Sequence, residues 1–302
     1  MNMGGAWRVR RVLTVMVLIW GAPGGIRIAA AHSGIVLTDD QGYPVSFPEP
    51  PRRIVTMTPS LTETVCALGA CSRIVGTDRY SNWPSGIRAL PKVGGMQNAS
   101  IERIAALRPD VVLVSGLSRA ADRLRAMGIR VVALDLDTDA RVHRAMLMVA
   151  SMLGDRSRGV RLWKAIGERI QAASDRVPAM WRGRRVYFEV SAAPYAAGAD
   201  SFIGVLLGRL GLVNVVPASL GPFPRINPEF VVRANPELII ASKSDAAGMA
   251  MRPGWSHIEA LRSRRICAFA PRDYDVLIQP GPRLAKAAAL IVHCLRHLRK
   301  AR

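Results

Sequence analysis

Two segments of the chain repeat the same order of residue types. Glu102 lies seven residues before Pro109, and Glu229 lies seven residues before Pro236; in both cases the proline is followed by an acid and an aliphatic run. The two halves also open alike, with Arg53-Ile54-Val55 and Arg185-Val186-Tyr187. A helix, a proline and a strand are a common α/β connection, but that connection does not require a matched Glu. The repeat therefore predicts two similarly built α/β lobes.

Aliphatic runs alternate with helical stretches on both sides of a long segment that is rich in Ala, Met, Leu, Arg and Lys. This alternation predicts α/β, Rossmann-like lobes, each with a central, mostly parallel sheet flanked by helices, and a ligand cleft between the lobes. The long segment predicts one long α-helix that joins the lobes, with Gly154-Asp155 as a point where it could be interrupted. The expected division is an arm over 32–51, an N-terminal lobe over 52–138, the connecting helix over 139–178 and a C-terminal lobe over 179–302.

The first 31 residues have the pattern of a secretory signal peptide. Arg8, Arg10 and Arg11 precede a short apolar run, and small residues ending in Ala29-Ala30-Ala31 follow it. We expect cleavage near Ala31 and a soluble, exported protein. An N-terminal membrane anchor is the alternative, but the apolar run is short for a bilayer. No Cys lies near the expected cut, which argues against a lipid anchor attached there, and no later stretch predicts a membrane span.

The chain carries 42 Lys and Arg against 22 Asp and Glu, a formal charge of +20. Such an excess attracts anions, so nucleic acid, an anionic membrane and an anionic ligand are all conceivable partners. Export, together with the lack of zinc-finger spacing or a ribonucleoprotein signature, argues against nucleic acid. Many of the cations fall in the long connecting segment, where they predict a solvated helix face.

No pattern of catalytic or metal-ligating residues stands out. The sequence has no G-x-S-x-G elbow, H-E-x-x-H, Walker loop or G-x-G-x-x-G, and its five His are scattered. The four Cys lack metal-ligand spacing, so we predict no metal site and no catalytic residues. Cys66 and Cys71 are expected either to form a disulfide in an oxidising compartment or to pack as buried thiols. An exported, metal-dependent enzyme on a similar scaffold stays as the alternative function.

A set of motifs resembles the helical-backbone class of periplasmic binding proteins, which serve ABC importers for cobalamin, iron siderophores and haem. The resemblance extends over about 53–298. Its motifs are Arg53 to Glu63, Leu68-Gly69-Ala70, Tyr80-Ser81-Asn82-Trp83-Pro84, Leu90 to Gly95, Ile101 to Leu113, Pro253-Gly254-Trp255 and Pro280-Gly281-Pro282-Arg283. The Tyr-Ser-Asn-Trp-Pro segment and the Gly-Pro-Phe-Pro before Glu229 are most similar to the vitamin B12-binding branch.

The resemblance implies a receptor, expected to be a monomer, that captures a cobalamin-type corrinoid or a Fe(III) chelate and delivers it to an ABC permease dimer in the inner membrane. It implies that Glu102 and Glu229 pair with permease arginines, a role that suits two carboxylates held at a fixed separation. It implies no covalently bound cofactor and places Trp255 in the core. A haem- or siderophore-specific receptor of the same class is the alternative, because small residues near Gly95 and Ser115 stand where the cobalamin branch tends to have tryptophans.

Six residues are candidates for contact with the cargo. Flat aromatic faces suit a corrin or a porphyrin, and Arg can bind amide, propionate or phosphate oxygens at its rim. The candidates are Tyr80 and Trp83 in the first lobe and Phe223, Arg225, Tyr274 and Arg283 in the second.

Overall fold

The computed structural model describes residues 34–298 except 96, 117, 119 and 193. The signal peptide predicted over 1–31 lies outside the described residues. The described chain begins with an antiparallel hairpin of β1 (Ile35–Thr38) and β2 (Pro44–Phe47), where an Asp39 carboxylate oxygen accepts hydrogen bonds from two backbone amides of the turn. The predicted N-terminal arm therefore contains a hairpin.

The first lobe is built on a parallel four-stranded sheet in the order β4-β3-β5-β6. Its strands and helices are β3 (Ile54–Thr56), α1 (Pro59–Ala67), β4 (Ile74–Thr77), α2 (Ile101–Ala106), β5 (Val111–Ser115), α3 (Ala120–Ala126) and β6 (Val131–Leu134). Along β5, Val111 and Leu113 join one apolar cluster and Val112 and Val114 join the other. The sheet thus buries both faces, as expected for parallel strands that alternate with helices.

The second lobe repeats this plan. Its sheet has the order β11-β10-β7-β8, with β9 also paired to β7; β8 is antiparallel and the other pairings are parallel. The elements are β7 (Arg185–Ser191), β8 (Tyr195–Ala196), α6 (Phe202–Arg209), β9 (Val213–Asn214), α7 (Pro228–Ala234), β10 (Leu238–Ser242), α8 (Lys243–Gly248), α9 (Glu259–Arg262), β11 (Ile266–Phe269), α10 (Pro271–Ile278) and α11 (Leu284–His297). The predicted α/β fold class with two similar lobes is confirmed.

The segment between the lobes differs from the prediction, because 139–178 contains two helices instead of one. They are α4 (Asp139–Met152) and α5 (Arg156–Ser174). Gly154 ends the first with a φ of +89°, a left-handed conformation that favours glycine, and the Asp155 side chain caps the second by accepting from the Arg158 amide at 2.9 Å. Helical periodicity continues through the break, which is why the sequence suggested one helix.

Helix α4 belongs to both lobes. Its residues Val142 and Met146 pack in a core of the second lobe, whereas Ala145 and Val149 pack in a core of the first. The apolar contacts therefore continue from one lobe to the other. None of the described helices is long and apolar enough to cross a membrane.

The sequence repeat corresponds to a repeated set of contacts. In the first lobe, Asp110 accepts the Arg53 amide at 2.8 Å, and the Arg53 guanidinium donates to the Leu107 and Arg108 carbonyls just after α2. In the second, Glu237 accepts the Arg185 amide at 3.0 Å, and the Arg185 guanidinium donates to the Ala234 carbonyl at 3.0 Å. The acid after each proline thus fixes the start of the first strand in its lobe.

Two disulfides are present. Cys66 is bonded to Cys71, so of the two predictions for these residues the disulfide is the correct one. Cys267 on β11 is bonded to Cys294 on α11, a pairing that the sequence did not predict because 27 residues separate the two. This second bridge joins the edge of the second sheet to the C-terminal helix.

Candidate functional site

A cavity of about 920 Å³ lies where the carboxyl ends of the parallel strands from both lobes converge. Residues at or near the carboxyl ends of β3, β4, β5, β6 and β7 line it, as expected for the ligand site of open α/β sheets. The N-terminal lobe contributes Met57, Thr58, Pro59, Ser60, Asp78, Arg79, Tyr80, Gly95, Gln97, Asn98, Ser115, Leu136 and Asp137, and the C-terminal lobe contributes Val190, Phe202, Ile203, Phe223, Ile278, Gln279 and Pro280. The volume is near the upper end for small-molecule sites and suits a large ligand.

The loop that carries Tyr80 is fixed by a buried polar network. Asp78, only 1% exposed, accepts the Tyr80 amide at 2.8 Å and the Ser81 hydroxyl. The Ser81 hydroxyl also contacts the Thr62 hydroxyl on α1 at 2.7 Å, and Lys92 Nζ donates to the Ser81 carbonyl at 2.7 Å. These bonds hold the loop backbone while the Tyr80 ring stays 63% exposed at the cavity. A rigid loop with an exposed ring can bind a flat ligand at low entropic cost.

The lining residues from the C-terminal lobe are mostly aromatic and aliphatic. Phe223 packs against Phe202 with ring centroids 5.7 Å apart, and Ile203 and Ile278 also line the cavity. The first lobe has small residues at two lining positions, Gly95 and Ser115. A Cβ on Gly95 would lie 3.1 Å from the Asn98 Oδ1 atom and 3.5 Å from Tyr80, so this position has little room for a larger side chain.

The charges at the cavity are mostly acidic. Burial raises the pKa of Asp78, opposed by its hydrogen bonds with Ser81 and Tyr80 and by the charge of Lys92. Burial also raises the pKa of Asp137, and the neighbouring Asp135 carboxylate raises it further. Arg79 is the one basic residue among the lining residues that the structure describes, and it is exposed. The partly exposed Asp137 carboxylate can accept hydrogen bonds from ligand donors, whereas the amide side chains of the cavity can donate as well as accept.

The structure brings together some of the predicted cargo residues and separates others. Tyr80 of the first lobe and Phe223 of the second line the cavity, whereas Trp83, Arg225, Tyr274 and Arg283 are not among its lining residues. Arg225 is exposed and forms a backbone bridge with Tyr195. Tyr274 is only 6% exposed, stacks on Phe188 and donates its hydroxyl to the Glu189 carbonyl. Tyr274 therefore lies on the buried face of α10 and is a core residue, not a cavity residue as predicted.

Arg283 and Trp83 instead meet between the lobes, beside the cavity. The Arg283 guanidinium lies 5.2 Å from the centre of the Trp83 ring and forms a two-point ion pair with Glu63 of α1, with Nε 2.7 Å from Oε2. Glu63 is buried, and Arg283 Nη2, which bonds Glu63, also donates to the Gln279 side-chain oxygen at 2.6 Å. The guanidinium predicted to contact cargo thus connects the second lobe to the first.

Glu102 and Glu229 are both exposed, each as the second residue of a short helix. The Ser100 hydroxyl donates to the Glu102 carboxylate at 3.2 Å; this bond, after a stronger one from the residue's own amide, lowers the Glu102 pKa. Glu229 lies 3.8 Å from Arg233 in the next turn. Because helices run antiparallel to the parallel strands that follow them, both helix starts lie at the carboxyl edge of their sheets, the same edge as the cavity.

Several cavity residues were not identified from the sequence, including Arg79, Gln97, Asp137 and Gln279. The signal that could have identified some of them is position, since Arg79 and Asp137 follow closely on the predicted strands β4 and β6. Trp255 is fully buried against Tyr187, as predicted. Within the described residues, no group of three or more His, Cys, Asp or Glu could hold a metal ion.

Comparison with known proteins agrees with this architecture. The model of the periplasmic binding protein family matches residues 54–272. An ABC transporter substrate-binding lipoprotein of Bacillus subtilis, itself uncharacterised, is 26% identical over 296 residues, which cover 93% of each chain. The chain therefore belongs to the periplasmic binding protein family and is a substrate-binding protein of ABC transport.

Solved structures of other periplasmic proteins have a similar fold. The periplasmic vitamin B12-binding protein of Vibrio cholerae superimposes with a TM-score of 0.69 at 22% identity, covering 84% of this chain and all of that one. The periplasmic haem-binding protein of Roseiflexus sp. RS-1 superimposes with a TM-score of 0.66 at 25% identity, covering 81% and 97%. Two different tetrapyrrole-binding proteins thus share this two-lobed fold.

Proposed function

We propose that this protein is a periplasmic receptor that binds a cobalamin-type corrinoid between its lobes and delivers it to an ABC permease dimer in the inner membrane. The observation that carries the proposal is the cavity of about 920 Å³ between the two lobes, to which one lobe contributes Tyr80 and the other Phe223. A large, flat macrocycle can occupy such a space and contact both rings. In this role the protein acts as a monomer without catalysis, and it holds the ligand only as cargo.

The polar groups of the cavity favour a corrinoid over an anionic chelate. Haem and the catecholate or carboxylate ferric siderophores carry negative charge, which the partly exposed Asp137 carboxylate would repel, whereas the side-chain amides of a corrinoid can donate to it. Gln97, Asn98 and Gln279 add neutral amide groups. Haem or a ferric chelate is the second candidate, supported by the small residues Gly95 and Ser115 and by the haem-binding protein of similar fold.

Glu102 and Glu229 are proposed to dock the receptor on the permease. Both carboxylates are exposed, occupy equivalent positions and lie at the cavity edge of their lobes. Charge-assisted bonds from arginines of a two-fold symmetric partner would align the cavity with the transport pathway. Since apolar contacts are continuous between the lobes through α4, we expect small lobe rotations on cargo capture.

The deciding experiment is titration of the purified protein, from residue 32 onward, with cyanocobalamin, haem and a panel of ferric siderophores by calorimetry. We expect cyanocobalamin to bind with a dissociation constant in the micromolar range or below. Preferential binding of haem or a siderophore would reassign the cargo, and binding of none of them at micromolar concentration would refute the proposed function.

A further inference from the structure

The side chain of Gln279 has its orientation set by the ion pair between the lobes. Its Oε1 atom accepts from Arg283 Nη2 at 2.6 Å, and the same guanidinium holds Glu63 through Nε and Nη2. A guanidinium has only donors, so the Gln279 group that faces Arg283 must be the carbonyl oxygen. The amide NH2 group of Gln279 is consequently directed away from Arg283.

This NH2 group is available to a ligand. Gln279 lines the cavity, and its side-chain nitrogen has no acceptor among the residues that the structure describes. A glutamine that was free to rotate could present either its oxygen or its nitrogen, and would recognise donors and acceptors alike. With the oxygen fixed by Arg283, the residue presents donors only.

We propose that Arg283 is a positioning residue that makes Gln279 a specificity-determining hydrogen-bond donor toward a carbonyl, carboxylate or phosphate oxygen of the cargo. Glu63 holds the guanidinium in place from the other lobe, and the Trp83 ring lies 5.2 Å from it. The donor is therefore aligned only when the two lobes are joined by the ion pair. The inference rests on the proposed function for the identity of the cargo but not for the orientation of the amide.

The orientation is tested without cargo by NMR of the side-chain amides in ¹⁵N-labelled protein, with the Gln279 signals assigned by their loss in Gln279→Met. We expect a resolved Gln279 pair in the native protein that moves to the position of a freely rotating glutamine in the double variant Glu63→Gln/Arg283→Met. The double variant removes both charges, so neither is left buried and unpaired. A Gln279 pair already at the free-glutamine position in the native protein would overturn the proposal.

The effect on recognition is measured by cyanocobalamin affinity. Gln279→Met should weaken binding by about twofold to tenfold, the contribution of one hydrogen bond. Adding Gln279→Met to Glu63→Gln/Arg283→Met should not weaken binding beyond the level of the double variant, because the Gln279 donor is already misaligned there. Gln97→Met is the matched control: Gln97 lines the same cavity, and its effect should add fully to that of the double variant. If Gln279→Met binds cyanocobalamin with native affinity, the inference is refuted and the proposed function stands. If the native protein binds none of the tested ligands, the proposed function is refuted. In that case the NMR measurement still decides the orientation of the Gln279 amide.

Discussion

Glu102 and Glu229 occupy the same place in the two lobes. Each is the second residue of a short helix whose N-cap side chain, Ser100 or Asn227, accepts a backbone amide of the first turn. Each helix leads through a proline to a strand whose preceding acid binds the start of the lobe's first strand. The two carboxylates are thus held in equivalent positions by the hydrogen bonds of their own lobes.

The first prediction concerns transport. Replacing both Glu102 and Glu229 by Ala should abolish importer-dependent uptake while cargo affinity stays unchanged, because neither side chain lines the cavity. Each lost charge-assisted bond weakens docking by about 2 kcal/mol or more. Uptake in cells and calorimetric affinity for the cargo provide the two measurements. The matched control is Glu49→Ala/Glu168→Ala, which removes two exposed acids elsewhere; equal uptake loss in both pairs would contradict the docking role.

The second prediction separates the cavity from the core. Phe223→Ala should weaken cargo binding by about tenfold to a hundredfold, since a ring contact of this size contributes roughly 1.5–3 kcal/mol. Tyr274→Phe should leave the affinity unchanged and lower the free energy of unfolding by about 1 kcal/mol, because it removes the hydroxyl that donates to the Glu189 carbonyl. Calorimetry and urea unfolding measure the two effects. A loss of affinity in Tyr274→Phe would place Tyr274 in the cargo site after all.

The third prediction concerns the disulfides. Replacing Cys267 and Cys294 by Ala should lower the free energy of unfolding by about 3 kcal/mol, because the bridge closes a long loop between β11 and α11. The Cys66–Cys71 bridge closes a much shorter loop, with a separation of five residues. The Cys66→Ala/Cys71→Ala variant should therefore lose less free energy of unfolding. Guanidinium unfolding under oxidising conditions compares the variants. The reverse order of destabilisation would count against this account.

The fourth prediction concerns pH. Burial raises the Asp78 pKa above its ordinary value of 3.8, so the folded protein holds this proton at a pH where the unfolded chain has lost it. The contribution of Asp78 to stability is therefore fully present below pH 3.8 and is lost as the pH rises through the raised value. The free energy of unfolding of Asp78→Asn, measured relative to that of the native protein, should therefore be higher at pH 7 than at pH 3.5.

Urea unfolding at both pH values measures this difference. An Asp78→Asn effect independent of pH would show that ionisation of Asp78 has no cost in the folded state.

The sequence allowed prediction of the lobes but only part of the site. The repeat around Pro109 and Pro236, together with the alternation of strands and helices, predicted two parallel sheets, because these patterns reflect local backbone preferences and burial on both sheet faces. The break at Gly154 was harder to place, since helical periodicity continues on both sides of it. Tyr80 and Phe223 were predicted to contact cargo, and both line the cavity.

What the sequence by itself determined is the architecture: two α/β lobes, the matched glutamates and the family to which the chain belongs. Only the tertiary structure decided the partners of side chains that are distant in the chain. Arg283 was expected to bind cargo, yet its guanidinium is held by Glu63, 220 residues away, and it fixes the orientation of Gln279 instead. Local patterns specify helices and strands because their hydrogen bonds are local, whereas the direction of a polar side chain depends on what the folded lobes place beside it.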